Sequence, residues 1–162
     1  MRTTRLVVVI ALVLAASAVW AEGNAKQSFA ALKALSGSWA GKASNGQAVR
    51  VSFRVTSNGS AIMSEIQSED DMISMFHLDG DRLLMTHYCG AGNQPRMQAA
   101  VSPDGKTFDF TFVDSTNLPS PSTGHMHRMT LKVLDENHHT EEWTFLQDGK
   151  EMKEVFDLQR KN

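Results

Sequence analysis

The pattern of the whole chain is set between Met72 and Met97, in MISMFHLDGDRLLMTHYCGAGNQPRM. Two apolar runs flank Asp79-Gly80, a pair typical of tight hairpin turns because a type I′ turn needs positive φ at both central residues. The second run ends near Cys89, in a glycine-rich break that precedes Pro95. We therefore predict a β-hairpin whose second strand leads into an irregular turn.

The rest of the chain repeats short strands separated by turn residues. Residues 49–56 alternate apolar and polar side chains, the period of a half-buried strand. Asn58-Gly59 and Asp148-Gly149 are two further hairpin signals, and the longest loop is predicted at residues 114–124. About ten such strands with short turns predict an all-β fold, an antiparallel up-and-down β-barrel.

One helix precedes these strands. Phe29, Leu32 and Leu35 recur at helical spacing within residues 25–35, and Gly37 ends the pattern. The apolar stripe of so short a helix needs a surface to cover. We expect this N-terminal helix to act as a plug at one end of the barrel.

The first 21 residues have the composition of a secretory signal peptide. Arg2 and Arg5 precede a nearly unbroken apolar run, residues 6–18, and Val19 and Ala21 place small residues at the −3 and −1 positions of a cleavage site. We expect cleavage after Ala21, a barrel domain over residues 22–162, and a periplasmic or secreted protein with no stable membrane anchor. An uncleaved N-terminal anchor is the alternative.

Charge and cysteine content exclude several functions. Cleavage would remove two arginines and no acidic residue, so the formal net charge of −2 would become −4. A mildly acidic surface argues against nucleic acid and anionic membranes as partners. Cys89 is the only cysteine, so no intramolecular disulfide can form. Its thiol is buried and inert, part of a site, or available for an intermolecular crosslink.

Polar and reactive side chains gather after the second strand of the opening hairpin and on one later strand. Arg96 at a barrel mouth is a natural anchor for a carboxylate, and a surface ion pair is the alternative. His125 and His127 are two residues apart, so on a strand both should face inward. The predicted ligand-binding residues are His87, Tyr88, Cys89, Asn93, Gln94, Arg96, His125 and His127.

Periodicity does not decide which face of strand 83–89 points inward. If His87 and Cys89 line the interior beside His125 and His127, the four side chains could form a soft-metal or haem site. If Thr86 and Tyr88 point inward instead, hydroxyl groups line the interior. The sequence therefore leaves the cofactor unknown.

Signs of an enzyme are weak. The chain has no nucleophile elbow, P-loop, dinucleotide fingerprint or HExxH motif. Glu141 and Glu142 are strand neighbours that face opposite sides, which excludes them as a glycosidase pair. His138 and His139 are predicted in an exposed turn without a role. Without a recognisable catalytic motif, the sequence favours a binding protein over an enzyme.

The segment Gly37-Ser38-Trp39 resembles the Gly-x-Trp motif that opens the first strand of calycins, which include lipocalins, fatty-acid-binding proteins and nitrobindin-like barrels. The resemblance implies that Trp39 closes one barrel end and that Arg160 packs over it. The run from Thr86 to Arg96 is similar to that of uncharacterised exported bacterial members. Nitrobindin-like proteins bind haem through a histidine near the C-terminus, and no histidine follows His139 here. The function implied is the binding of a largely apolar small molecule with a polar or anionic end.

Overall fold

A computed structural model describes residues 25–67 and 71–161; the predicted signal peptide lies outside these residues. Helix α1 covers residues 25–33, and ten strands follow it. They are β1 (Gly37–Ala43), β2 (Ala48–Thr56), β3 (Ala61–Gln67), β4 (Met72–Asp79), β5 (Arg82–Tyr88), β6 (Gln94–Val101), β7 (Thr107–Thr116), β8 (His125–Asp135), β9 (His138–Gln147) and β10 (Lys150–Lys161). Within the described ranges, no helix has the length and apolar character needed to cross a bilayer.

The strands form one closed barrel. Each strand pairs antiparallel with its neighbours in the chain, and β1 pairs with β10 to complete the ring. The predicted ten-stranded up-and-down barrel is confirmed. Closure gives every strand of the ring a paired neighbour on both sides, although β7 pairs with β8 only over residues 107–111. A closed ring has no edge strand, the usual template for aggregation.

The barrel interior is apolar along most of its length. Alternate residues of the strands point inward and form one continuous buried cluster with the inner face of α1. Phe76 and Phe110 meet edge to face at its centre, with ring centroids 5.4 Å apart. The largest fully buried side chains are Trp39, Phe76, Phe108, Phe110, Leu32, Ile62, Ile66, Met85, Met97, Met129, Leu131 and Leu158.

Trp39 closes the end of the barrel that α1 covers, which we call the helix end. Its indole Nε1 donates to the Leu35 carbonyl over 2.8 Å, and the Arg160 guanidinium lies 4.2 Å from the centre of its ring. Arg160 also donates to the carbonyl of Ser36. Gly37 has a φ of +129°, and a Cβ there would lie 3.0 Å from Arg160 Nη1. Glycine in this motif is therefore favoured by the backbone conformation, and a Cβ would also press on the Arg160 guanidinium.

The turn residues predicted from local sequence are right at one hairpin and displaced at another. The Asp148-Gly149 turn has positive φ at both residues, as predicted for a type I′ turn. The prediction for Asp79-Gly80 is wrong by one residue. Asp79 pairs with Arg82, so the central residues are Gly80 and Asp81, and only Gly80 has positive φ, as in type II′ turns.

Candidate functional site

Most of the predicted site residues lie at the end of the barrel opposite α1. We call this the loop end, formed by the β5–β6 connection (residues 89–93) and the β7–β8 connection (residues 117–124). The two connections are joined through Asn93, whose amide nitrogen donates to the Gly124 carbonyl over 2.8 Å. Asn93 is 1% exposed, and its Oδ1 has no hydrogen-bond partner in the described structure. Cys89 is half-buried at the start of the first connection.

The inward face of β5 carries His87. Leu83, Met85 and His87 are buried, whereas Tyr88 is 45% exposed on the outer face. His87 is fully buried, and its Nδ1 lies 2.9 Å from the Ser74 hydroxyl of the adjacent β4. The structure therefore resolves the alternative that the sequence left open, and Tyr88 points away from the interior.

The chemistry of His87 follows from its burial. Its ring packs against Trp143, with centroids 4.9 Å apart, and its Nε2 has no hydrogen-bond partner in the described structure. Burial lowers the pKa of His87 from 6.5 to about 4, because the imidazolium ion loses its hydration there. The ring is therefore neutral near pH 7, and its Nε2 presents a donor or an acceptor inside the barrel according to the tautomer.

A β-bulge lies at the start of β8. Met126 pairs with Phe145 and Arg128 pairs with Thr144, so His127 is the extra residue. The strict two-residue alternation behind the shared-face prediction is therefore interrupted at His127. The two imidazoles still lie close together, with ring centroids 5.6 Å apart.

Phe112 of β7 holds these two histidines. Its ring centre lies 4.8 Å from that of His125 and 5.5 Å from that of His127, with the second pair nearly parallel at 23°. His125 Nδ1 lies 2.8 Å from the Thr123 carbonyl. A carbonyl can only accept, so Nδ1 of His125 carries the proton and its Nε2 is an acceptor in the neutral ring.

These side chains line a cleft beneath the long loop, which we call the loop cleft. Its volume is about 350 Å³. This is near the lower limit for small-molecule pockets. The His127 Nδ1 atom is buried and has no hydrogen-bond partner in the described structure. The cleft is lined by Phe112, Leu118, Pro119, Ser120, Pro121, His125, His127 and Leu146.

Arg96 and Gln94 lie on the outer surface of β6. The Arg96 Nε donates to Asp114 Oδ1 over 2.5 Å, and Nη2 contacts the second carboxylate oxygen. This pairing holds the pKa of Asp114 below its usual range. Gln94 accepts a hydrogen bond from Thr116. Arg96, the expected anchor for a carboxylate ligand, is thus already engaged in an exposed ion pair. A register shift between β6 and β7 brings Asp114 opposite it.

The proposed four-residue metal or haem site is not assembled. Across residues 25–67 and 71–161, no three His, Cys, Asp or Glu side chains converge in a way that could hold a metal ion. His87 packs on Trp143 inside the barrel, whereas His125 and His127 pack on Phe112 at the cleft. Sharing one end of a barrel did not bring the four side chains together.

A second buried polar group was missed from the sequence. His139 is fully buried, not exposed in a turn, because β9 already begins at His138. Glu141 Oε1 lies 3.2 Å from His139 Nε2, and Glu141 Oε2 accepts from the Trp143 indole over 3.0 Å. His139 in turn meets Trp39 edge to face, with centroids 4.3 Å apart. The alternation of residues 139, 141 and 143 along one strand face was the signal that could have found this group.

Comparisons with known proteins support the architecture only. No protein-family model matches this sequence, and no curated protein matches it. Among solved structures, Rv2717c from M. tuberculosis is similar over 83% of this chain and 98% of its own, with a TM-score of 0.57 and 14% sequence identity. At that identity the likeness shows a shared fold.

Proposed function

We propose that this chain is an exported barrel of the calycin type that binds a small, largely apolar molecule with a polar end in the loop cleft. The observation that carries this proposal is the buried Nδ1 of His127, which has no hydrogen-bond partner among the described residues and belongs to a side chain that lines an apolar cleft. Buried polar atoms in proteins nearly always have a hydrogen-bond partner. A half-turn of the ring about χ2 would turn this nitrogen from its buried position, and a ligand hydroxyl would then supply the partner.

The walls of the cleft favour an apolar ligand body. Phe112, Leu118 and Leu146 contribute apolar surface, and Pro119 and Pro121 stiffen the loop above them. Binding would remove this surface from water, at about 25 cal/mol per Å² of apolar area. The Asn93–Gly124 hydrogen bond ties the loop to the neighbouring turn, which lowers the entropy cost of closing it over a ligand.

Filling the cleft with a larger side chain should weaken ligand binding strongly. We expect 1-aminoanthracene, an uncharged fluorescent probe, to bind the mature protein with one saturable site. Leu146→Trp should weaken that binding by about tenfold or more, because the indole occupies the space of the ligand. Leu134→Trp is the matched control, since Leu134 is exposed near the opposite end of β8. Saturable binding unaffected by Leu146→Trp would move the site elsewhere, and no saturable binding would refute the proposed function.

Export is the second part of the proposal and rests on the sequence of residues 1–21. We expect the protein recovered from outside the cytoplasm of a bacterial host to begin at Glu22. Mass spectrometry of the intact protein measures this directly. Placing two charges within the apolar run, by the substitutions Leu12→Arg and Leu14→Arg, should retain the unprocessed chain in the cytoplasm. Recovery of the full-length chain in the membrane fraction would instead support the uncleaved anchor.

A further inference from the structure

The loop cleft has no fixed charge. Its lining side chains are apolar, hydroxyl or imidazole groups. The guanidiniums nearest in sequence are turned outward, Arg96 to Asp114 and Arg128 to Asp109. Burying a charged ligand group without a counter-ion is costly, since the lost hydration is not replaced. The cleft therefore suits an uncharged molecule better than a carboxylate.

The hydrogen-bonding groups of the cleft select a hydroxyl. With its Nδ1 proton held by the Thr123 carbonyl, a neutral His125 offers only the acceptor Nε2. His127 Nδ1 has no partner in the described structure and accepts or donates according to the tautomer. A hydroxyl group has one proton and two lone pairs, so it can donate to His125 Nε2 and accept from a protonated nitrogen of His127. A ketone or ether, which only accepts, cannot pair with His125 in this state.

The shape of the walls favours a planar ligand. Phe112 and His127 lie nearly parallel, and His125 meets His127 at 73°. Because Phe112 and His127 stack on each other, with ring centroids 5.5 Å apart, a ligand ring would extend this cluster from outside the pair through the same stacked and edge-to-face contacts. Pro119 and Pro121 add rigid apolar faces from the loop. A cleft of about 350 Å³ has room for a body of two or three fused rings.

Building on the proposed function, we propose that the loop cleft binds a small, planar, uncharged aromatic alcohol whose hydroxyl hydrogen-bonds to His125 and His127. The aromatic body packs against Phe112 and the two loop prolines. This assigns the ligand a chemical class that is narrower than an apolar molecule with a polar end. It also gives His127 a role in selecting the ligand.

This ligand class is tested with 1-naphthol and three comparison probes, each of which lacks one of its properties. The mature protein is titrated with 1-naphthol, naphthalene, 1-naphthoate and 1-decanol at pH 7.5 by isothermal calorimetry. We expect 1-naphthol to bind about three- to tenfold more tightly than naphthalene, the range expected for one hydrogen bond. It should also bind more tightly than 1-naphthoate, which is charged, and 1-decanol, which is not planar.

Variants then assign the preference to residues. His127→Phe keeps a ring beside Phe112 but removes one of the two hydrogen-bonding nitrogens, so the preference for 1-naphthol over naphthalene should shrink. The double variant His125→Phe with His127→Phe should bind the two compounds equally. His77→Phe, on the outer face of β4 at its helix end, is the matched control and should keep the preference. Phe112→Leu should weaken both naphthalene compounds by a similar factor.

The outcomes separate the two proposals. If 1-naphthoate or 1-decanol binds more tightly than 1-naphthol, and Leu146→Trp blocks that binding, the proposed ligand class is wrong. The proposed function remains intact in that case. A preference for 1-naphthol that is as large in His127→Phe as in the parent would overturn the role of His127. If none of the four probes and no 1-aminoanthracene binds, the proposed function itself fails.

Discussion

Trp39→Ala is expected to lower the free energy of unfolding by about 3–5 kcal/mol, the usual cost of truncating a buried Trp. Trp39 is 1% exposed, meets the edge of His139 and lies under the Arg160 guanidinium. Its removal leaves a cavity at the helix end and two polar side chains without their packing partner. Since small domains are stable by only about 5–15 kcal/mol, this one change should remove a large share of the total. Urea unfolding followed by circular dichroism measures it.

Two further variants identify the source of that loss. Trp39→Phe keeps an aromatic ring but removes the hydrogen bond to the Leu35 carbonyl, so it should cost about 1–3 kcal/mol. Tyr88→Ala removes an exposed ring from the barrel wall and should stay within about 0.5 kcal/mol of the parent. Equal losses for Trp39→Ala and Tyr88→Ala would show that Trp39 does not seal the barrel.

The barrel could be predicted because its signals are local. Alternation within residues 49–56 and the turn at Asp148-Gly149 each involve neighbours in sequence, and the structure has a strand and a type I′ turn at those places. The exact central residues of the β4–β5 turn could not be predicted from local sequence. Whether Asp79-Gly80 or Gly80-Asp81 is central depends on the cross-strand pairing of Asp79 with Arg82, which a local pattern does not contain.

The site could be predicted only in part, because its details depend on strand partners. The partner of Arg96 is Asp114, brought opposite by a register shift between two strands. The extra residue at His127 likewise reflects pairing with β9. The clustering of His125 and His127 near the long loop was visible in the sequence. The contribution of Phe112 and the loop prolines required the fold.

Acidification is expected to destabilise this protein through His87. The folded state holds the pKa of His87 at about 4, whereas the unfolded chain has the ordinary value of 6.5. Between these values the unfolded chain binds a proton that the folded protein does not, so stability rises with pH across the window. The contribution is fully present above about pH 6.5 and is lost as pH falls toward 4. Over the whole window it amounts to on the order of 3 kcal/mol.

The measurement is a set of urea unfolding curves between pH 7.5 and 4 for the parent, His87→Gln and Ser74→Ala. Carboxylates also titrate in this range, so the informative quantity is the difference in slope between parent and variant. His87→Gln should lose about one proton of pH dependence, since no imidazole is left to protonate on unfolding. Ser74→Ala removes the partner of Nδ1 but keeps the buried ring, so it should be less stable with the parent's slope. If His87→Gln and the parent had identical slopes, burial of a neutral imidazole would not be the source of acid sensitivity. If instead Ser74→Ala abolished the slope, the hydrogen bond to Ser74 would control the protonation of His87 more than desolvation does.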